Sequence, residues 1–305
     1  MNLAKNLVKL GLSVSSTCKL LSIPRSSFYF YLKPISSKNS ALNSKLANLI
    51  QNIAFSFPSF GYRRITAILK QMGYKINHKR VYRIYKQLNL QKSPPKGYKN
   101  KQKRPAFKIL TPSATNDLWS LDIIEDVISK NGSVKKFRIF NLIDVFSRFA
   151  FPPLINTSLT GEKIAEHLKK LIESYGCPRA IIRDDGPEFR SKSFQKIISK
   201  YRIKEVIIPP GQPFKNGYVE SFHSRMREEL LDAEVFESLE EARTKVLNWV
   251  KWYNTERPHS GIRYKPPIEV FKKGGQLDII KLKCKIISVQ KWGHIQNFRA
   301  LLAEI

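Results

Sequence analysis

The chain has 305 residues and a formal net charge of +30, from 54 Lys and Arg against 24 Asp and Glu. Residues 1–116 hold 22 basic side chains and no acid, so this stretch is +22, and the remaining 189 residues, with 32 bases and 24 acids, are +8. A segment of one sign repels itself and calls for a polyanionic partner; Lys and Arg release counterions when they pair with phosphates, which makes nucleic acid the leading choice.

Length allows about two domains. Three widely spaced cysteines, Cys18, Cys177 and Cys284, argue against a disulfide framework and for a reduced compartment, where they serve as small core residues. No apolar run reaches the roughly 18 residues of a membrane span, so no membrane partner is expected. The opening MNLAKNLVKLGLSVSS is broken by Lys5 and Lys9 and reads as an amphipathic helix rather than a signal peptide. The expected location is cytoplasmic.

Residues 1–34 form the first expected unit. VSSTCKLLSIPRSSFYFYL (14–32) has the rhythm of two short helices about a turn at Ile23–Pro24, with Pro24 suited to open the second. This is a helix-turn-helix outline that places Arg25, Ser26 and Ser27 on the candidate recognition helix. ISSKNSALNS (35–44) reads as a linker running into a helix.

Residues 45–91 repeat the theme. GYRRITAILKQMG (61–73) sets Ile65, Ile68, Leu69 and Met72 at helical spacing, with Gly73 as its stop. Asn77 is placed to cap HKRVYRIYKQLNL (78–90), whose apolar stripe is Val81, Ile84, Tyr85 and Leu88. An amphipathic helix with a basic outer face, entered by a short turn, is how a major-groove reader is built. Arg63, Arg64, Lys79, Arg80 and Arg83 are its candidate DNA contacts. The Pro- and Lys-rich segment 92–115 is a linker suited to lie along a phosphate backbone through Lys101, Lys103 and Arg104.

From Trp119 the pattern changes to strands. WSLDIIEDVI and FRIFNLIDVFSRFAFPPLI (137–155) are β-rich, with Asn131–Gly132 as a hairpin turn. Helices are expected over 161–176, 191–202, 216–231 and 239–256, with short strands at 179–185 and 204–210. Strands followed by alternating β and α suggest an α/β mixed sheet with helices on its faces.

Three acids in this region carry the chemistry. Asp122 lies in an apolar strand between Leu121 and Ile123, where a carboxylate is costly unless it is paired or bound to metal. Asp184 ends a short strand, the end at which open α/β sheets place ligands. Glu220 follows Asp184 with 35 residues between them. It sits on a helix whose packing stripe is Val219, Phe222, Met226 and Leu230, while Glu220, His223, Ser224 and Arg227 share an adjacent polar face. Carboxylate oxygens are hard ligands that hold Mg²⁺, and two such ions about 3.5–4 Å apart can activate an attacking oxygen and stabilise a leaving one.

These contexts resemble the integrase-core transposases of bacterial insertion sequences, the OrfB-type protein of the insertion-sequence family numbered three. The matching stretches are LWSLDI (118–123), LIDVFSR (142–148), RDDGPEF (183–189), GQPFKNGYVESFHSRMREE (211–229) and YNTERPHSGIRYKPPIEVF (253–271). The resemblance implies a ribonuclease-H-like catalytic core at 116–271, preceded by all-α helix-turn-helix DNA-binding units, with 272–305 a tail of unassigned role. It implies Asp122, Asp184 and Glu220 as catalytic metal ligands for two Mg²⁺ or Mn²⁺ ions, with Lys215, His223 and Arg227 as candidate DNA contacts near them.

The implied function is a transposase that binds double-stranded element ends, exposes 3′-hydroxyls and joins them to target DNA. It acts as at least a dimer, with an upstream OrfA-type product as a further partner. A catalytically inactive DNA-binding regulator and a non-transposing nuclease are the alternatives. Where the family reads Ser-Asp-Asn-Gly, this chain has Arg183–Asp184–Asp185–Gly186. Motif register and strand alternation select Asp184 as the ligand and leave Asp185 to cap the turn.

Overall fold

The computed structural model describes residues 2–25, 28–29, 37–91, 111–209 and 216–273. Ser26, Ser27, Lys101, Lys103, Arg104 and Lys215, the basic linker up to residue 110 and the tail from residue 274 lie outside the described residues. Contacts divide the chain into two compact units, Met1–Asn52 and Ile53–Ile305.

In the first unit, α1 (Asn2–Lys9) and α2 (Val14–Leu20) bury Ala4, Cys18 and Phe28 among Val8, Val14, Leu21 and Ile23. Ser13 caps α2 by accepting the Ser16 N–H at 3.0 Å. Helical backbone resumes at Arg25, where the Phe28 N–H donates to the Pro24 carbonyl. α3 runs Ser37–Ser56, so the polar stretch read as a linker is helical from Ser37 onward. Leu46, Leu49 and Ile50 are buried at i, i+3 and i+4. That stripe stabilises the helix, and polar residues ahead of it extend it at little cost.

In the second unit, α4 (Tyr62–Gln71) buries Ile65, Thr66, Ile68 and Leu69, and α5 (His78–Gln87) buries Val81, Ile84 and Tyr85. Gly73 takes φ 89° after α4, and Asn77 caps α5 by accepting the Lys79 N–H at 2.9 Å.

The core is a five-stranded sheet of order β3-β2-β1-β4-β5. Its strands are β1 (Leu118–Lys130), β2 (Ser133–Asp144), β3 (Leu154–Asn156), β4 (Ala180–Arg183) and β5 (Lys204–Ile207). β1 and β2 form a long antiparallel hairpin closed by Asn131 and Gly132, both at positive φ as a type I′ turn requires. β3 adds antiparallel to β2, while β4 and β5 run parallel to β1. An antiparallel three-stranded half joined to a parallel half through the central first strand is the ribonuclease-H-like arrangement.

One face of the sheet, with Trp119, Leu121, Phe140 and Leu142, packs against α6 (Gly161–Tyr175) and α7 (Lys192–Lys200), joined by Phe271 of α10 (Pro267–Lys273). Gly161 opens α6 where a Cβ would meet Ser191 Oγ at 2.1 Å, so no other residue fits without moving α7. On the opposite face Leu118, Ala180, Ile182, Val145 and Ile208 pack beside Tyr218 of α8 (Gly217–Met226).

The helix expected over 216–231 is not uniform: α8 gives way to a π-turn at Arg227–Leu231. The widened turn lets adjacent Leu230 and Leu231 both be buried. α9 (Leu239–Thr255) begins at its Ser238 cap and buries Trp249, Trp252 and Tyr253. Phe57 and Phe60, which precede α4, stack on Trp252 at 5.3 and 6.2 Å.

Candidate active site

Asp122 sits mid-strand in β1, opposite Asn141 of β2. Side chains alternate along a strand, so Asp122 shares the α8 face with Leu118 and Ser120, opposite to the packed Trp119 and Leu121. β4 pairs in parallel with β1, Ser120 against Ile182. Two residues further on, the same face carries Asp122 on one strand and Asp184 just past the end of the other. α8 crosses that face. It buries Val219, Phe222 and Met226, the stripe read from the sequence, which leaves Glu220 turned toward the strand carboxylates.

Electrostatics record the convergence. Burial, followed by repulsion from Asp184 and Glu220, pushes the Asp122 carboxyl up to about 6, against a single relieving bond from the Ile123 N–H. The carboxylates of Asp184 at the β4 end and Glu220 on α8 therefore lie near enough to Asp122 on β1 for their charges to act on it. Burial and the nearby Arg227 depress His223 to about 4, so its ring is neutral at pH 7. Asn141 Nδ2 lies 3.0 Å from His223 Nε2, which puts the ring proton on Nδ1, facing Asp122 Oδ2 at 3.6 Å.

The donor set fits a hard divalent cation, because three mutually repelling carboxylates gain from a shared positive charge. Among the described residues no three such groups are drawn close enough to enclose an ion. The fit is therefore one of donor type and charge.

Several positioning groups escaped the sequence reading. Asn216 opens α8 yet makes no side-chain cap. Its amide instead bonds Ser120 Oγ and donates to the Leu121 carbonyl at 3.1 Å, fixing α8 to β1 directly beside Asp122.

Arg183 is 2% exposed; it donates to Glu205 at 2.5 Å and to the Asp184 carbonyl at 2.8 Å, which holds the β4 end in place. Arg138 bridges Glu125 at 3.2 Å and Glu188 at 2.6 Å, tying the loop after Asp184 to β2. Asp184 Oδ1 accepts the Gly186 N–H at 3.3 Å, whereas Asp185 lies 3.7 Å from Arg183 and 3.8 Å from Arg190. The turn bond expected of Asp185 thus belongs to Asp184, because the strand alternation turns Asp185 toward the two arginines.

The expected DNA contacts scatter. Arg25, Arg63, Lys79 and Arg83 are exposed and Arg80 half-buried. Arg64 instead packs over the Phe60 ring at 5.4 Å, and burial beside Arg257 and Arg225 lowers it to about 10. His223 is turned into the carboxylate site. Arg227 leaves Glu220 behind: it donates to the Glu125 carbonyl at 2.7 Å and faces Asp232 at 3.5 Å and Asp126 at 3.8 Å. The π-turn beginning at Arg227 reorients it.

Family comparisons agree with this architecture. An integrase core domain matches residues 112–213, a second integrase core domain matches 201–267, and an HTH-like domain matches 41–98. The 31.7 kDa protein of insertion element IS407 from Burkholderia multivorans is 30% identical over 270 residues, covering 87% of this chain and 92% of its own. The 39.2 kDa protein of insertion element IS476 from Xanthomonas euvesicatoria is 31% identical over 85% of this chain and 72% of its own. Among solved structures, the HTLV-2 integrase catalytic core domain in complex with magnesium aligns with 53% of this chain and 99% of its own at 22% identity, with a TM-score of 0.40.

The chain is an integrase-core polynucleotidyl transferase of DNA transposition. It belongs to the insertion-element transposases, as the OrfB-type member of the third insertion-sequence family that its motifs resemble. Among the described residues no helix is long and apolar enough to cross a membrane.

Proposed function

We propose that the chain cuts insertion-element ends and joins them to target DNA at Asp122, Asp184 and Glu220. What supports this is that Asp122 of β1, Asp184 just past the paired β4 and Glu220 of the helix crossing that face come from three elements to one side of the sheet, where burial and the other two charges raise the Asp122 carboxyl. Two Mg²⁺ or Mn²⁺ ions held by these three groups would supply Lewis acidity for in-line displacement at phosphorus. His223, neutral and braced by Asn141, orients Asp122 Oδ2 without competing as a cation. Arg183 and Arg138 hold the Asp184 loop, and Asn216 holds the Glu220 helix. Cutting and joining are both displacements on phosphorus, so one site serves both.

Exposed Arg63, Lys79 and Arg83 on α4 and α5 supply affinity for the ends, and synapsis of two ends requires at least two copies. Such a reaction belongs where the cell keeps its DNA.

The test is strand transfer with duplexes carrying the element's terminal repeats. Asp122→Ala and Glu220→Ala are expected to lower cutting and joining by orders of magnitude and leave binding close to wild type, since phosphate affinity rests on many bases. In the same assay, Lys79→Glu with Arg83→Glu should weaken binding. Full strand transfer by either acid variant would sink the assignment, and cutting without joining by the wild type would favour the nuclease reading.

A further inference from the structure

A second feature lies beside the start of α8, built by two motifs that the carboxylate site does not use. Asp144, fully buried, accepts the Ser147 N–H, the Ser147 hydroxyl and the Asn116 N–H. This tight turn drives Arg148 to φ 65° and lays its guanidinium over the Tyr218 ring at 4.2 Å. Asn254 of α9 clamps the same segment, accepting the Ala150 N–H at 2.9 Å and donating to its carbonyl at 2.7 Å. From the end of α9, Arg257 reaches inward with 1% of its surface exposed. It bonds Glu229 through Nε at 2.8 Å and through Nη2 at 2.5 Å.

Arg64, Arg148, Arg225 and Arg257, with His259, line one cavity of about 310 Å³. The acids that face them are Glu229 on Arg257 and Glu228, which pairs with Arg225 at 2.5 Å. The arginines outnumber the acids two to one. Arg148 Nη1 and Arg257 Nη1 are both buried and, among the described residues, have no hydrogen-bond acceptor. Buried donors left unpaired are costly and rare in native proteins. Gly217 and Tyr218, at the start of α8, line the cavity too, and because Asn216 bonds β1 instead of capping, the amides of that helix end are left uncapped. His259 Nδ1 accepts the Gly261 N–H, and burial among these arginines keeps the ring neutral.

A pocket of unmet guanidinium donors at a helix N-terminus repels cations and suits a tetrahedral oxyanion. We propose that this cavity is a phosphate site, separate from the three carboxylates, that grips a backbone phosphodiester of the DNA strand being processed. The Ser147–Arg148 turn and the Arg257–His259 segment are then the parts of two motifs that build it. α8 carries Glu220 on one side and this cavity on the next, so a gripped phosphate fixes the strand relative to the carboxylates. The inference rests on the proposed DNA reading only for the source of the phosphate.

The experiment uses the full chain without divalent metal, so a failure of the catalytic assignment leaves it unaffected. Two variants are compared with wild type: Arg148→Gln, which removes an unmet donor, and Ser260→Glu, which sets a carboxylate at the exposed rim. Duplex binding is measured across a salt series, and melting temperature with and without inorganic phosphate. Each variant is expected to weaken binding and to reduce the slope of log affinity against log salt by about one. Inorganic phosphate is expected to raise the melting temperature of wild type but not of the variants. Wild-type slope and affinity in both variants would overturn the proposal. Phosphate protection lost in the variants without a change of slope would mark a free-anion site and overturn the DNA assignment. Should Arg148→Gln fail to fold, Ser260→Glu alone decides.

Discussion

Two neighbouring acids, Asp184 and Asp185, have different fates one residue apart. Asp184 lies on the face of Asp122 and accepts a backbone N–H, while Asp185 is half-exposed between Arg183 and Arg190. An amide cannot supply the charge that holds a divalent cation, so Asp184→Asn should abolish strand transfer. Asp185→Asn should retain most of it, because exposed ion pairs contribute roughly 0–1 kcal/mol. Reversed outcomes would move the register by one residue.

Asp122 makes a thermodynamic statement as well. Its folded carboxyl titrates at about 6, against the ordinary 3.8. A raised value means that the stability linked to protonation is present below 3.8 and lost as pH rises through 6. At pH 7.5 without metal, Asp122→Asn should therefore melt higher than wild type, by roughly 2–4 °C if the relief is about 1 kcal/mol. Added Mg²⁺ should raise wild type more than the variant. Equal melting curves for the two proteins would show that the acids do not repel.

At the scale of elements, the junction of α8 with β1 matters most. Asn216 gives up capping its own helix to bond Ser120 and the Leu121 carbonyl. Asn216→Ala leaves those buried groups unpaired, at a cost of about 1–3 kcal/mol, and frees the helix that carries Glu220. Activity should fall further than the lost stability explains, with the end-binding constant unchanged, when strand transfer and melting are measured on one preparation. A loss of activity matched by unfolding would make Asn216 purely structural. The π-turn belongs to this scale too: it ends the regular helix at Arg227 and swings that side chain to the edge of β1, away from Glu220.

At the scale of the molecule, two histidines are depressed furthest: His223 to about 4 through burial and then Arg227, and His259 to about 3 through burial and then Arg257, Arg148, Arg64 and Arg225. Both folded values are depressed below the ordinary 6.5. Their contribution is full above that pH and is lost as pH falls toward 4 and then 3, because the unfolded chain takes up the protons first. Melting temperature should drop between pH 7 and 4.5, and His259→Asn, whose side-chain oxygen can still accept the Gly261 N–H, should flatten the drop. An unchanged profile would place the acid sensitivity elsewhere. The stacking of Phe57 and Phe60 on Trp252, with Ser59 bonding Glu229 at 3.0 Å, joins residues ahead of α4 to the end of α9. Truncation at residue 117 would strip that contact, so end binding is better tested by charge reversal in the whole chain.

Sequence alone determined the signals that are local. Apolar spacing and strand-rich runs marked α4, α5 and the long hairpin, and Asn131–Gly132 and Gly73 marked their ends, because turn chemistry is written in neighbouring residues. Motif and alternation also singled out Asp122, Asp184 and Glu220 before any geometry was known. Tertiary structure decided what depends on distant partners. Asn216 became a clamp because β1 offered it bonds, and Arg64 and His223 turned inward because Phe60 and the carboxylate site lay beside them. Arg148 and Arg257 came to share a cavity although 109 positions separate them in the chain. A side chain's role is set by which groups surround it once the chain has closed, and the spacing of residues along the sequence carries no record of those groups.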